Sequence, residues 1–114
     1  MRLVILESPF HNDDPVEKEK NITYARMCVR YCLLMGWSPL ASHLLHTQPG
    51  ILDDQTPEER RLGIRAGLEW LRGADATVVF TDRGISSGMC QGIRAALRRG
   101  VPVEYYSLVK EGWL

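Results

Sequence analysis

The sequence predicts an α/β domain of three layers, with a parallel sheet of about four strands between helices. Two observations carry this expectation. The runs "RLVILE" (2–7) and "ATVVFT" (76–81) have the length and apolar content of strands buried on both faces. Longer stretches with helical spacing of apolar residues lie between such runs, and alternating strands and helices imply parallel strands joined by right-handed crossovers.

The elements follow in order. "RLVILE" ends at the loop "SPFHNDDP", which breaks any continuing strand. From about Val16 to Met35 the pattern turns helical, with Ile22, Ala25, Val29, Cys32 and Leu33 on one stripe, and Gly36 stops it. "SPLAS" (38–42) is a weaker strand, and "HLLHTQPGILDDQ" reads as a long loop. Thr56 is placed to cap the next helix, with Pro57 at its first position and Glu59 completing a capping box. That helix runs to about Leu71 and stops at Arg72-Gly73. After "ATVVFT", Ser86 or Ser87 caps a helix carrying Met89, Ile93, Ala96 and Leu97, with Arg98 and Arg99 at its cationic last turn. Gly100 ends it, and "VPVEYYS" (101–107) is the last strand. Four strands in this sequence favour the order 2-1-3-4, a flavodoxin-like, Rossmann-like arrangement. Its ligand crevice opens at the carboxyl ends of strands 1 and 3.

Composition narrows the functions available. The 114 residues form one domain, 1–114, with no repeat or linker. Fourteen basic residues balance fourteen acidic ones, so no overall field favours nucleic acid or a membrane surface, whereas a small anion needs only a local positive patch. Cys28, Cys32 and Cys90 lack zinc spacing and read as reduced thiols. "MRLVILESPF" is too short for a signal peptide or membrane span, so the expected location is the cytoplasm.

Two loops meet at the predicted crevice, "ESPFHNDD" and "TDRGISSGM". The helix beginning around Ser86 offers unpaired backbone N–H groups and the positive end of its dipole. Gly84, Ser86, Ser87, Gly88 and Met89 are therefore expected around an anion, although serine and glycine are also ordinary cap and turn residues. From the first loop, Ser8, Pro9, Phe10 and His11 are candidate ligand contacts, joined by His43 from the long loop after the second strand. Glu7 and Asp82 end neighbouring strands, where two carboxylates could serve as acid and base or bind ribose hydroxyls. Asp53-Asp54 lacks the further donors a cation would need, and neither a metal nor a cofactor is expected.

Taken together, "ESPF", "NITYAR", "SPLASHLL", "LDDQTPEERRLGI" and "ISSGM…I..A…GVPV" resemble, in that order, a small phage and bacterial family related to nucleoside 2-deoxyribosyltransferases. The resemblance spans Leu3 to about Tyr106. It implies a crevice for a nucleoside, a nucleotide or a nucleotide-derived ligand, a homo-oligomer whose subunits share sites, and, for a phage-encoded member, the host cytoplasm. In the wider superfamily a helix-borne glutamate attacks the anomeric carbon, and relatives that act on monophosphates hold the phosphate with serines. Laid on this chain the serine and glycine match Ser87-Gly88, but the nucleophile position falls on Gly92, which has no side chain to react. His11-Asn12 likewise replaces an Arg-Gly pair common in the first loop.

Three readings follow. The first is a binding protein that keeps the crevice without its usual chemistry, sequestering a signalling nucleotide being one form of that role. The second is an active N-glycosidase or deoxyribosyltransferase using Glu7 or Asp82. The third is a partner-binding protein whose tail presents Trp113 and Leu114 as an exposed apolar end.

Overall fold

The computed structural model describes every residue, Met1–Leu114. In chain order the elements are β1 (Leu3–Glu7), α1 (Pro15–Leu34), β2 (Ser38–Leu40), α2 (Ser42–Leu45), α3 (Pro57–Glu69), β3 (Ala76–Phe80), α4 (Ser87–Arg98) and β4 (Val103–Tyr106). A 3-10 turn, Trp70–Gly73, joins α3 to β3. The four strands are all parallel, in the order β2-β1-β3-β4. The predicted fold class and strand order are those observed.

Side-chain alternation along the strands sorts the interior into two clusters. On one face Val4, Leu6, Val78 and Phe80 pack with Tyr24, Cys28, Tyr31 and Cys32 of α1 and with Leu108 of the tail. On the other, Ile5 packs with Leu71 and with Ala95 and Ala96 of α4. Leu6 pairs with Val78 and Glu7 with Val79, so Glu7 extends the side of Ile5 and faces α4 rather than α1.

The structure changes several local expectations. The inner face of α1 is Asn21, Tyr24, Ala25, Cys28, Tyr31 and Cys32, while Leu33 is 52% exposed. The two long tyrosines set that face, and Ile22 and Val29 lie on its flank, half-buried. Asp14 caps α1 by accepting Val16 N–H at 2.9 Å, and Gly36 takes a left-handed φ of 82° at its end. Part of the predicted loop is helix α2, because the chain leaves β2 at Leu40 and turns at once. Thr56 does not cap α3 through its side chain. Its hydroxyl bonds Asp53, and Glu59 reaches past it to accept Asp53 N–H at 3.1 Å, so the box closes on the preceding turn.

The tail is not a free apolar end. Trp113 stacks edge-on against Tyr31 with centroids 5.5 Å apart, and of the two terminal residues only Leu114 remains exposed. Cys28 and Cys32 are buried in the core beneath it, all three thiols are free, and burial pushes Cys32 up to about 12. No helix is long and apolar enough to cross a membrane.

Candidate functional site

β1 carries Glu7 to the carboxyl edge of the sheet, where the chain bends into the loop before α1. Beside it α4 begins, and the first turn of that helix is capped from both directions. Ser86 Oγ accepts Met89 N–H at 3.3 Å, and Met89 Sδ accepts Ser86 N–H at 3.4 Å, a box with sulfur in place of a carboxylate. The amides of Ser87 and Gly88 carry no intramolecular hydrogen bond. They are the free donors at the positive end of α4.

Between α4 and the α2–α3 segment lies a cavity of about 260 Å³. That is just under the usual span for small-molecule sites, about 300–1,000 Å³. Ser86, Ser87, Gly88, Met89 and Gly92 form its α4 side, and Glu7, Ser8, Phe10 and His11 its β1 side. The opposite wall comes from α2 and α3, with Ser42, His43 and His46 followed by Arg60, Gly63, Ile64, Gly67 and Leu68. Glycine is needed twice in this packing. A Cβ at Gly67 would overlap Ser42 Oγ, so α2 and α3 approach only because that position is bare. A Cβ at Gly92 would lie 2.6 Å from Cδ of Glu7 and closer still to Oε2.

Glu7 is the chemically unusual group. Its remaining exposure is to the cavity, no cation or donor of the protein engages it, and burial alone pushes its carboxyl up to about 8. It is therefore largely protonated at neutral pH, able both to donate and to accept. His43 is driven the other way by burial, down to about 4, and stays uncharged. Its Nε2 lies 2.9 Å from Ser8 Oγ, and its ring meets Phe10 edge-on at 5.9 Å. His11 Nδ1 lies 2.9 Å from the buried carboxylate of Asp54, which also accepts Lys18 Nζ at 3.2 Å. Those contacts pin the first loop to the segment before α3. No group of three or more His, Cys, Asp or Glu side chains is arranged to hold a metal ion.

Of the candidate site residues, Glu7, Ser8, Phe10, His11, His43, Ser86, Ser87, Gly88 and Met89 line this one cavity. Pro9 is buried beside it, and Gly84 sits in the exposed turn that redirects the chain toward α4. Asp82 lies outside the cavity, and its pairing with Glu7 as acid and base is corrected by the structure. Position 82 has the parity of Val78 and Phe80, so it turns toward α1 and the tail. There Asp82 accepts hydrogen bonds from Tyr24 Oη, Ser107 Oγ, Leu108 N and Val109 N at 2.6–3.2 Å. Burial opposes its ionisation, but the bonds from Ser107, Tyr24 and the two amides prevail and bring it down to about 2. Apart from His43, the wall from α2 and α3, Arg60 included, is what sequence reasoning missed. Its signal was the spacing of Gly63 and Gly67 one helical turn apart.

Comparison with known proteins places this site in context. Residues 2–106 match a family described as Domain of unknown function (DUF7768). The chain belongs to that family. Every cavity-lining residue, from Ile5 to Gly92, falls within the DUF7768 match. No curated protein matches the chain significantly. Among solved structures, the 2-deoxyribosyltransferase of the psychrotolerant bacterium Bacillus psychrosaccharolyticus superposes with a TM-score of 0.62. The superposition covers 93% of this chain and 72% of that one at 23% identity. At that identity the likeness is one of fold, and this DUF7768 chain shares the α/β architecture of the deoxyribosyltransferase.

Proposed function

We propose that the crevice binds a nucleoside or nucleotide, with an anionic group at the N-terminus of α4. The observation that carries this reading is the convergence on one cavity of the free Ser87 and Gly88 amides with the Glu7 carboxyl, which no protein group engages. A helix start supplies donors for a phosphate. An unpaired carboxyl on the same cavity supplies the polar group that sugar hydroxyls need. Apolar side chains of Leu52, Ile64 and Leu68 complete the wall on which a base can lie. Fold likeness to a nucleoside-handling enzyme supports the ligand class. With glycine at position 92, a covalent glycosyl intermediate on α4 is unavailable, which favours a binder that holds or sequesters its ligand.

A fluorimetric melting series with nucleosides and nucleoside 5′-monophosphates tests this. Ligand at a hundred times its Kd should raise apparent stability by about 2.7 kcal/mol. No shift with any of them at millimolar concentration would remove the reading.

One observation favours a second reading, cleavage of the N-glycosidic bond. The Glu7 carboxyl stands directly against Gly92, the position where the resemblance expects a reacting glutamate. Release of free base with a stoichiometric reducing sugar, abolished in Glu7→Gln, would establish it. Asp82 drops out of this reading, because its oxygens are committed to α1 and the tail.

A further inference from the structure

We propose that Glu7 reads the ribose hydroxyls of the ligand, making the crevice selective for ribonucleotides over their 2′-deoxy counterparts. The inference rests on the nucleotide-binding reading above and goes beyond it by naming the sugar and the residue that selects it.

The geometry begins at α4. The free donors are the amides of Ser87 and Gly88, and Glu7 meets the helix at Gly92. Gly92 lies five steps along the helix from Ser87, a rise of about 7–8 Å. That span is comparable with the distance from a 5′-phosphorus to the hydroxyl edge of its ribose. A phosphate on the helix start therefore sets the sugar, rather than the base, beside the carboxyl. Bare Gly92 leaves room for the carboxyl on the helix side of the cavity, where any side chain at 92 would displace it.

The chemistry of the group suits that position. Both oxygens of Glu7 lack a protein partner, whereas the neighbouring polar groups are largely committed: Ser8 to His43, and His11 to Asp54. A vicinal diol presents two hydroxyls, each able to donate and accept. A carboxyl with two free oxygens can engage both at once, and a carboxylate at a strand end is a common partner of ribose hydroxyls in open α/β sheets. A 2′-deoxy sugar leaves one carboxyl oxygen buried without a partner, and unmatched buried polar groups carry a larger penalty than the bond itself. The expected discrimination is at least about tenfold in Kd.

Isothermal titration decides the matter with the four ribonucleoside 5′-monophosphates, their 2′-deoxy forms and inorganic phosphate. The wild-type chain should bind the ribonucleotides at least about tenfold more tightly than the deoxy forms, with phosphate competing against both. Glu7→Ala should close the gap to within about twofold, and Glu7→Gln, which keeps one donor and one acceptor, should retain most of it. Urea denaturation of both variants confirms that they are folded, since each removes a buried acid that nothing pairs. Equal wild-type affinity for ribo and deoxy forms overturns the inference while leaving nucleotide binding intact, as does a gap that persists in Glu7→Ala. Binding by none of the probes overturns both readings. Release of free base from either series overturns a purely recognising role for Glu7.

Discussion

A side chain at position 92 and a carboxyl at position 7 compete for one volume, because a Cβ on residue 92 would lie 2.6 Å from Cδ of Glu7. Glycine inside a helix ordinarily costs about 1 kcal/mol relative to alanine, so Gly92→Ala would stabilise α4 if nothing stood in the way. With Glu7 present the new methyl drives the carboxyl out of its place, and the propensity gain is offset. The sign of the substitution therefore depends on residue 7. In a Glu7→Ala background, Gly92→Ala should stabilise by about 1 kcal/mol. In the wild-type background it should be neutral or destabilising, giving a coupling energy of roughly 1–3 kcal/mol in a double-mutant cycle read by urea denaturation. Additive effects would show that the two residues do not share the volume. The same geometry governs any attempt to restore a glutamate to α4: Gly92→Glu alone sets it against Glu7, and Glu7→Ala with Gly92→Glu is the variant that can hold it.

At the scale of elements, α4 divides two jobs between adjacent serines. Ser86 closes the helix by accepting Met89 N–H, whereas the Ser87 hydroxyl caps nothing and Ser87 lines the cavity. Ser86→Ala should cost about 1 kcal/mol of stability. Ser87→Ala should leave the denaturation midpoint nearly unchanged and weaken nucleotide binding severalfold, as measured by titration. If both variants lower stability alike, the division fails. Much of this element was legible in the sequence, because a helix start after a buried strand has a local signature, and the two uninterrupted apolar runs fixed where the sheet order reverses. The wall built by α2 and α3 was legible only at His43, since the rest depends on a bare Gly67 meeting Ser42 across 25 residues of chain. Asp82 was misplaced for a related reason. Its partners, Tyr24 and the tail, lie 58 and about 25 positions away, and only strand parity hinted that it faces α1 rather than Glu7. The inner face of α1 was misjudged because the aliphatic residues were weighted above the tyrosines that anchor it.

For the whole molecule, Glu7, His43 and Asp82 are three of the groups whose displaced ionisation ties stability to pH, and they act in opposing directions. Glu7 moves from an ordinary 4.5 to about 8, so the folded state holds a proton that the unfolded chain releases. Its contribution is complete below pH 4.5 and is lost as pH rises toward 8. His43 moves from 6.5 to about 4, so its contribution is complete above pH 6.5 and is lost as pH falls toward 4. Asp82 moves from 3.8 to about 2 and is lost only in stronger acid, as protonation frees the tail from its carboxylate. Between pH 4.5 and 6.5 the slopes of Glu7 and His43 cancel. Above 6.5 Glu7 acts alone, and stability falls by about 1.4 kcal/mol per pH unit, or roughly 2 kcal/mol by pH 8. The difference between wild-type and Glu7→Gln isolates that group, because every other titration is common to both. The variant should gain on the wild-type steadily from pH 4.5 and level off near pH 8, with its own profile rising to pH 6.5 and then flattening. A nucleotide that supplies hydrogen bonds to Glu7 changes the ionisation of this carboxyl, so saturating ligand should shift the midpoint of the difference curve. Urea denaturation across pH 4–9, with and without ligand, reads both effects, and parallel wild-type and variant profiles would mean that Glu7 is not held as a buried acid.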